Sequence, residues 1–129
     1  MLMTAAFVVS VVHYVDNVAN YADYPDASGG PVPAPSAALI AVSWFVFTAA
    51  GIVGVLAYRA GRTSVAAVGL AVYSGSGIIG IGHYTVAGAT DMVWWRQAHV
   101  VADILLGFAV LGFALWVATR GRRPGPVAR

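Results

Sequence analysis

Histidine and aspartate recur at helical spacing in a chain that is otherwise very apolar. The stretch HYVDN contains His13 and Asp16 three positions apart, and a second pair, His99 and Asp103, is four positions apart. A third histidine, His83, follows a glycine-rich stretch. Residues three or four apart share one face of an α-helix, so each pair can present an imidazole and a carboxylate to the same neighbour. In a chain without cysteine, these groups are ligands suited to zinc, iron, manganese or copper.

The spacing therefore predicts a metal site made of imidazoles and carboxylates. Three histidines and one carboxylate would fill a tetrahedral zinc shell, and a second carboxylate would orient a ligand imidazole or act as a base on bound water. We predict a divalent transition metal as the cofactor, either zinc, iron or copper. The predicted metal ligands are His13, Asp16, His83, His99 and Asp103. The candidate catalytic groups are Asp16, Asp103 and Tyr84, and the candidate substrate-binding groups are Asn17 and Arg96.

The composition places these residues in a membrane. Of the 129 residues, 60% are hydrophobic and only 9% are charged, whereas soluble domains carry about 25% charged residues. A bilayer-spanning helix needs about 20 apolar residues, and the chain has such stretches at about residues 1–21, 36–58, 63–87 and 93–119. We therefore predict an all-α fold, an integral membrane four-helix transmembrane bundle that forms a single transmembrane domain over residues 1–129. The first helix is expected to be retained and not cleaved as a signal peptide.

The arginines predict an orientation. Arg59 and Arg62 lie in the short connection between the second and third helices, and four more follow the fourth helix: Arg120, Arg122, Arg123 and Arg129. Cytoplasmic loops carry an excess of basic residues. Both termini are therefore expected to be cytoplasmic, in a multi-pass protein of the cell (plasma) membrane. The first and third connections then face outward.

This topology brings the candidate ligands to one level of the bundle. Counted from the ends of the helices, they lie between about 5 and 14 Å below the outer surface. An ionised aspartate near the bilayer interior costs about 2.5 to 3.5 kcal/mol on insertion scales. Asp16 and Asp103 should therefore face the interior of the bundle and be paired, protonated or metal-bound.

Other polar and aromatic residues have simpler interpretations. Arg96 is expected to pair with Asp91 or to reach lipid headgroups, and Asp23 and Asp26 are expected to be solvated in the first connection. The residues expected to anchor the protein at the membrane interface are Tyr14, Tyr21, Tyr24, Trp94 and Trp95.

The predicted function is that of a metal-dependent membrane enzyme, a hydrolase or an oxidoreductase, acting on a small or lipid-borne substrate. One alternative is haem b held by His13 with His83 or His99 for electron transfer, which is less favoured because polar groups crowd the same faces. A proton relay without a cofactor is another. The chain could also be an accessory transmembrane subunit of a larger membrane complex. The expected partners are the lipid bilayer and a homo-oligomer or larger complex, and not nucleic acid.

Overall fold

The helices of the protein coincide with its four apolar stretches. The computed structural model describes residues 1–25 and 35–120. Its long helices, α1 to α4, are Leu2–Ala19, Ala37–Arg59, Thr63–Ile78 and Trp94–Arg120. Together with a 3₁₀ extension of α3, these ranges provide four helical spans that are long and apolar enough to cross a membrane. The prediction of an all-helical protein with four helices of spanning length is confirmed.

Local sequence signals set the start and end of α2. The side chain of Ser36 accepts a hydrogen bond from the Leu39 amide at 3.2 Å, which satisfies one of the unpaired N–H groups at the helix start. After Arg59 the chain reverses through Gly61, whose φ of 72° lies in the left-handed region that glycine tolerates. The turn is short, so α2 and α3 are antiparallel neighbours.

The third span differs from the continuous helix predicted over residues 63–87. It is α-helical as far as Ile78 and continues as a 3₁₀ segment, Ile79–Thr85. Glycines at 75, 77, 80 and 82 weaken the α-helix here. A 3₁₀ helix has about 3.0 residues per turn, so side chains three positions apart eclipse each other. Gly80 and His83 consequently lie on the same side of the segment.

The contacts between α1 and α4 show that these two helices run in opposite directions. Ala6 packs with Ala114 near one end of the bundle, and His13 contacts Asp103 further along α1. The buried residues of α4 repeat at alternating steps of four and three, which is the spacing of a helix that packs along one seam. They are Arg96, Val100, Asp103, Gly107, Val110, Ala114 and Val117.

The backbones of α3 and α4 approach most closely at Gly77. A Cβ atom added at Gly77 would meet the backbone carbonyl of Asp103, and it would lie 3.2 Å from the Cα atom of Gly107. Small residues allow this kind of close helix contact. The contact fixes the height of Asp103 relative to the 3₁₀ segment that follows α3.

The largest apolar cluster lies away from the histidines, in the half of the bundle where α1 begins and α4 ends. Leu70 and Val110 are fully buried there and pack with Ala6 and Tyr73. In contrast, only 11% of the most apolar part of α2 is buried, so its apolar side chains point outward. This surface is suited to contact with lipid chains.

Candidate functional site

His13 and Asp103 form a buried pair between α1 and α4. The Nδ1 atom of His13 lies 2.7 Å from Oδ2 of Asp103, and both side chains are 3% exposed. Nδ1–H donates to the carboxylate, which fixes the ring and leaves Nε2 free to bind another partner. The ring also lies against Gly80, where an added Cβ would be 3.3 Å from the Cε1 atom of His13. Packing and hydrogen bonding together hold this imidazole in one position.

His83, from the 3₁₀ segment, faces His13 nitrogen to nitrogen. The two Nε2 atoms are 3.5 Å apart, and the ring centroids are 5.6 Å apart. Asn17, one helical turn after His13, places its Nδ2 atom 3.0 Å from Nε2 of His83. The amide donates to this nitrogen, so Nε2 of His83 carries a lone pair. In the neutral His13 ring with its proton on Nδ1, Nε2 carries a lone pair as well.

The lone pair of His13 Nε2 faces a nitrogen whose own single lone pair is taken up by the Asn17 amide, so a positive charge could sit between the two rings once that amide moves aside. A proton supplies that charge if His13 is an imidazolium ion beside the Asp103 carboxylate. A metal ion supplies it equally well, because neutral imidazole is the commonest metal ligand. The facing nitrogens of His13 and His83 are therefore suited to hold a proton or a metal cation.

His99 brings a third imidazole to the same level from α4. Its ring centroid lies 5.6 Å from that of His13. Its Nε2 atom is 3.3 Å from Oδ2 of Asp16, but neither ring nitrogen has a hydrogen-bond partner among the described residues. A buried polar group without a partner costs about 1 to 3 kcal/mol. We refer to His13, His83 and His99 as the imidazole cluster, and His99 is the member with unused bonding capacity.

The predicted ligands are neighbours, but they do not form a ready-made metal site. Within residues 1–25 and 35–120, no group of three or more histidine or acidic side chains is arranged so that it could hold a metal ion. Each carboxylate is already engaged, since Asp103 binds His13 and Asp16 binds Arg96. The structure as it stands shows a hydrogen-bonded polar cluster in which two carboxylates flank the three imidazoles.

Asp16 is the centre of a second group of contacts, nearer the end of α1. Its Oδ2 atom lies 2.8 Å from Nε of Arg96 and 2.6 Å from the hydroxyl of Tyr24. Its Oδ1 atom lies 2.7 Å from Nδ2 of Asn20. These donors occupy both carboxylate oxygens. In this arrangement Asp16 binds protein side chains and has little capacity left for a metal ion or a water molecule.

Arg96 is buried inside the bundle and is only 6% exposed. Besides Asp16 it pairs with Asp23, whose Oδ2 atom lies 3.3 Å from Nη2 of Arg96. Its guanidinium carbon is 5.0 Å from the ring centroid of Tyr24 and 5.1 Å from that of Trp95. The expectation that Arg96 pairs with Asp91 or reaches lipid headgroups is therefore wrong. Its carboxylate partners belong to α1 and to the residues that follow it, because α1 and α4 are antiparallel.

Tyr24 is part of the site, although the sequence predicts it as an interfacial anchor. It is 8% exposed, and its ring centroid lies 4.9 Å from that of His83. Burial and the neighbouring Asp16 carboxylate raise the pKa of Tyr24 well above its ordinary value, so the phenol stays protonated and donates its hydrogen bond. The available signal in the sequence is spacing, since Asn17, Asn20 and Tyr24 follow His13 at steps of four, three and four.

Three other predicted residues have definite surroundings, and four lie outside the described residues. Tyr14, another expected anchor, is buried and donates to the backbone carbonyl of Ser76 at 3.1 Å. Asp23 is exposed as expected but also pairs with Arg96. Tyr84 packs beside Tyr24, and its buried hydroxyl has no hydrogen-bond partner within the described part of the chain. Residues outside the description include Asp26, Arg122, Arg123 and Arg129.

Comparison with known proteins gives no family for the chain. No protein-family model matches it, and no curated protein or solved structure shows significant similarity to it. Functional inference therefore depends on the side chains of the site.

Proposed function

We propose that this multi-pass membrane protein binds one divalent transition metal ion at the imidazole cluster and uses it for chemistry on a small or lipid-borne substrate. The observation that supports this proposal most directly is that the Nε2 atoms of His13 and His83 lie 3.5 Å apart. The two ring nitrogens of His99 are buried and have no hydrogen-bond partner among the described residues, although Nε2 lies 3.3 Å from Asp16. A metal ion would bind the lone pair of His13 Nε2 and would replace the Asn17 amide on Nε2 of His83. It would also give His99 a partner.

The distance between the facing nitrogens supports a single bound ion. Zinc–nitrogen bonds are about 2.0 to 2.1 Å long, so two nitrogens bound to one tetrahedral ion lie roughly 3.3 to 3.4 Å apart. The Nε2 atoms of His13 and His83 are 3.5 Å apart. The two nitrogens need little change in their separation to share an ion, but Asn17 has to release Nε2 of His83. The third ring, His99, has to turn away from Asp16 to complete the set.

The two carboxylates have different roles in this proposal. Asp103 is a positioning residue, because its bond to Nδ1 of His13 presents Nε2 toward the centre of the cluster. Metal-binding histidines usually donate their other N–H to such a partner, and loss of the partner typically lowers metal affinity 10- to 100-fold. Asp16 instead holds Arg96 and Tyr24 in place. The ligands are thus His13, His83 and His99.

A three-imidazole site leaves a coordination position for water or substrate. Such a metal ion lowers the pKa of bound water to about 7 in zinc enzymes and polarises carbonyl or phosphoryl oxygens. We propose Tyr84 as the proton donor, because it is adjacent in sequence to the ligand His83. Asn17 is proposed to position a substrate atom beside the ion, because the ion would displace its amide from Nε2 of His83 and leave that amide free close by.

The test is metal analysis of protein purified in a mild detergent and supplied in turn with zinc, iron and copper. We expect about one ion per chain in the wild type. His13→Ala, His83→Ala and His99→Ala should each reduce occupancy by more than tenfold. Asp103→Asn should weaken binding by about 10- to 100-fold but retain full occupancy at high metal concentration, as a positioning residue does.

Thr48→Val is the matched control, because this residue lies on α2 outside the cluster. It should retain the ion with wild-type affinity, and thermal unfolding should confirm that every variant is folded. A wild-type protein that takes up none of the three metals would overturn the proposal. Full retention by both His13→Ala and His99→Ala would do so as well.

Haem b is a less favoured occupant of the same residues. A porphyrin ring lies between its two axial imidazoles, whereas the Nε2 atoms of His13 and His83 already lie within 3.5 Å of each other. Those two rings would have to separate to admit a macrocycle. An absorption spectrum with a Soret band would contradict the single-ion proposal and favour haem.

A proton relay is the second candidate, and the same facing nitrogens favour it. With His13 as an imidazolium ion, Nε2–H would donate to Nε2 of His83, and the Asp103 carboxylate would stabilise the charge. This candidate requires no metal. It gains support if the wild type holds no ion and if variants at His13 and His83 abolish proton conduction in liposomes.

The orientation proposed for the protein has both ends of the chain in the cytoplasm. Ala57 of α2 and Val117 of α4 belong to one buried cluster, so Arg59 and Arg120 lie at the same end of the bundle. Arg96 is at the opposite end, where Asp16 and Asp23 neutralise it. An excess of unneutralised basic residues is typical of the cytoplasmic side of the plasma membrane. The imidazole cluster would then be nearer the outer surface.

The outward apolar face of α2 raises the question of whether the protein acts alone or as a subunit of a larger complex. Lipid chains, a second copy of the chain or a helix of another protein could cover it. We favour lipid, because the polar contacts of the cluster are made within the chain. Copurification of a stoichiometric partner from the native membrane would favour the accessory-subunit alternative.

A further inference from the structure

The residues that follow α1 cover the imidazole cluster at its aqueous end. The chain leaves α1 at Asn20, turns through a short 3₁₀ helix at Tyr21–Asp23 and reaches Tyr24. Residues 20–24, which we call the strap, cross from α1 towards α4. The ring of Tyr24 lies over His83 with 4.9 Å between centroids. The phenol therefore covers one side of this half-buried imidazole.

The Tyr24 hydroxyl at 2.6 Å and Nδ2 of Asn20 at 2.7 Å donate hydrogen bonds to Asp16, which tie the strap to α1. A buried cation also holds the strap. Arg96 contacts it twice, through the Asp23 backbone carbonyl at 3.5 Å and the Asp23 carboxylate at 3.3 Å. The same guanidinium also lies beside the face of the Tyr24 ring. Arg96 is in turn fixed by Asp16 at 2.8 Å. The strap is therefore bound both to α1, through Asp16, and to α4, through Arg96.

The strength of these contacts differs along the strap. The Asp23 side chain is 62% exposed, and exposed ion pairs contribute only about 0.2 to 1 kcal/mol. Tyr24 is 8% exposed and packs with Met92 and Val100. Tyr24 thus supplies most of the closure, and Asp23 contributes a small, adjustable part. A cover with one weak exposed latch can open without unfolding the bundle.

We propose that the strap is a gate that controls the passage of water-soluble molecules from the adjoining aqueous phase to the imidazole cluster. This inference depends on the cluster being the functional site, but not on which cation it holds. Opening requires Tyr24 to leave His83 and to break its hydrogen bond to Asp16, and it requires Asp23 to leave Arg96. An anionic solute could promote opening, because it can replace the exposed Asp23 carboxylate on the guanidinium.

The experiment measures acylation of His83 by diethyl pyrocarbonate, followed by mass spectrometry of the peptide that contains it. The protein is kept in detergent with a chelator, so that a bound metal does not protect the ring. We expect slow acylation in the wild type and at least tenfold faster acylation in Tyr24→Ala. Asp23→Asn should raise the rate by no more than about fivefold, in keeping with a weak exposed ion pair.

Asp91→Asn is the matched control, because it removes a carboxylate from the other connection at the same end of the bundle. Its acylation rate should equal that of the wild type. Thermal unfolding must show that Tyr24→Ala remains folded. If Tyr24→Ala is unfolded, Tyr24→Phe replaces it, because this variant keeps the ring and loses only the hydroxyl. Its acylation rate should lie between those expected for the wild type and for Tyr24→Ala. An unchanged rate in both Tyr24 variants overturns the gate. That result would leave the metal analysis unaffected, so the two proposals fail separately.

Discussion

At the scale of the residue, the site depends on how each carboxylate is engaged. Asp103 contacts an imidazole, whereas Asp16 contacts a guanidinium, a phenol and an amide. Both are nearly excluded from solvent, so each loses water that its partners have to replace. The same residue type thus orients a candidate ligand in one place and ties α1 to α4 in the other.

Removal of the Asp103 carboxylate should destabilise the protein strongly. Breaking a buried pair by removing one partner costs about 3 to 5 kcal/mol, because the remaining group stays buried without compensation. We therefore expect Asp103→Ala to lower the free energy of unfolding by that amount. Asp103→Asn should cost less, since its amide oxygen can still accept from Nδ1 of His13.

The measurement is reversible unfolding in detergent by titration with a denaturing surfactant. Asp91→Ala provides the comparison, because Asp91 lies in a connection and outside the buried pair. Equal stability of Asp103→Ala and Asp91→Ala would show that the buried pair contributes nothing net.

At the scale of the element, small residues set the distances between helices and thereby the position of the site. The contact of Gly77 with the backbone of Asp103 leaves no room for a side chain. It brings α3 close enough for His83, two turns later, to reach the cluster. Gly80 plays the same part for the His13 ring. The absence of a Cβ atom at these two glycines therefore sets both the helix spacing and the positions of the imidazole rings.

A methyl group at Gly77 should push α3 and α4 apart. Overpacking of a close contact typically costs about 1 to 3 kcal/mol, so we expect Gly77→Ala to lower the free energy of unfolding within that range. It should also raise the acylation rate of His83, because the 3₁₀ segment would shift with α3. Gly112→Ala is the matched control, since a Cβ atom there would have nothing within 4 Å. Equal stability of the two variants would contradict the proposed tight contact.

The sequence predicts the elements well and the contacts only in part. Apolar length reveals four helices because a membrane span has a minimum length. Counting residues from the helix ends predicts that the three imidazoles lie at one level of the bundle. The pairing of Asp16 with Arg96 was not predictable, because it depends on which faces of α1 and α4 meet. The role of Tyr24 was missed because aromatic residues near helix ends usually anchor at the interface.

At the scale of the whole molecule, polar and basic groups are divided between the two ends of the bundle. One end has Arg59, Arg62 and Arg120 beside an apolar core. The other has Arg96 enclosed by carboxylates, above the imidazole cluster. The long apolar surface of α2 joins the two ends. This division is the basis for the proposed orientation in the membrane.

Reporter fusions provide the test of that orientation. A cytoplasm-active fluorescent reporter fused after Arg120 should fluoresce, and an exported phosphatase inserted at Gly88 should be active. Substitution of Arg59 and Arg62 by glutamine should reduce the fraction of chains with this orientation, because the basic residues that retain the connection are lost. Phosphatase activity after Arg120 together with none at Gly88 would show the reverse topology.

The 3₁₀ geometry of Ile79–Thr85 determines where the His83 imidazole points. Each residue turns by about 120° in a 3₁₀ helix and by about 100° in an α-helix. Over the five steps from Ile78 to His83, conversion to α-helix would swing the imidazole by about 100° and draw it back by about 2.5 Å. A rotation of about a quarter turn would then move the His83 ring away from His13. The helix type of these seven residues thus determines whether His83 can reach His13.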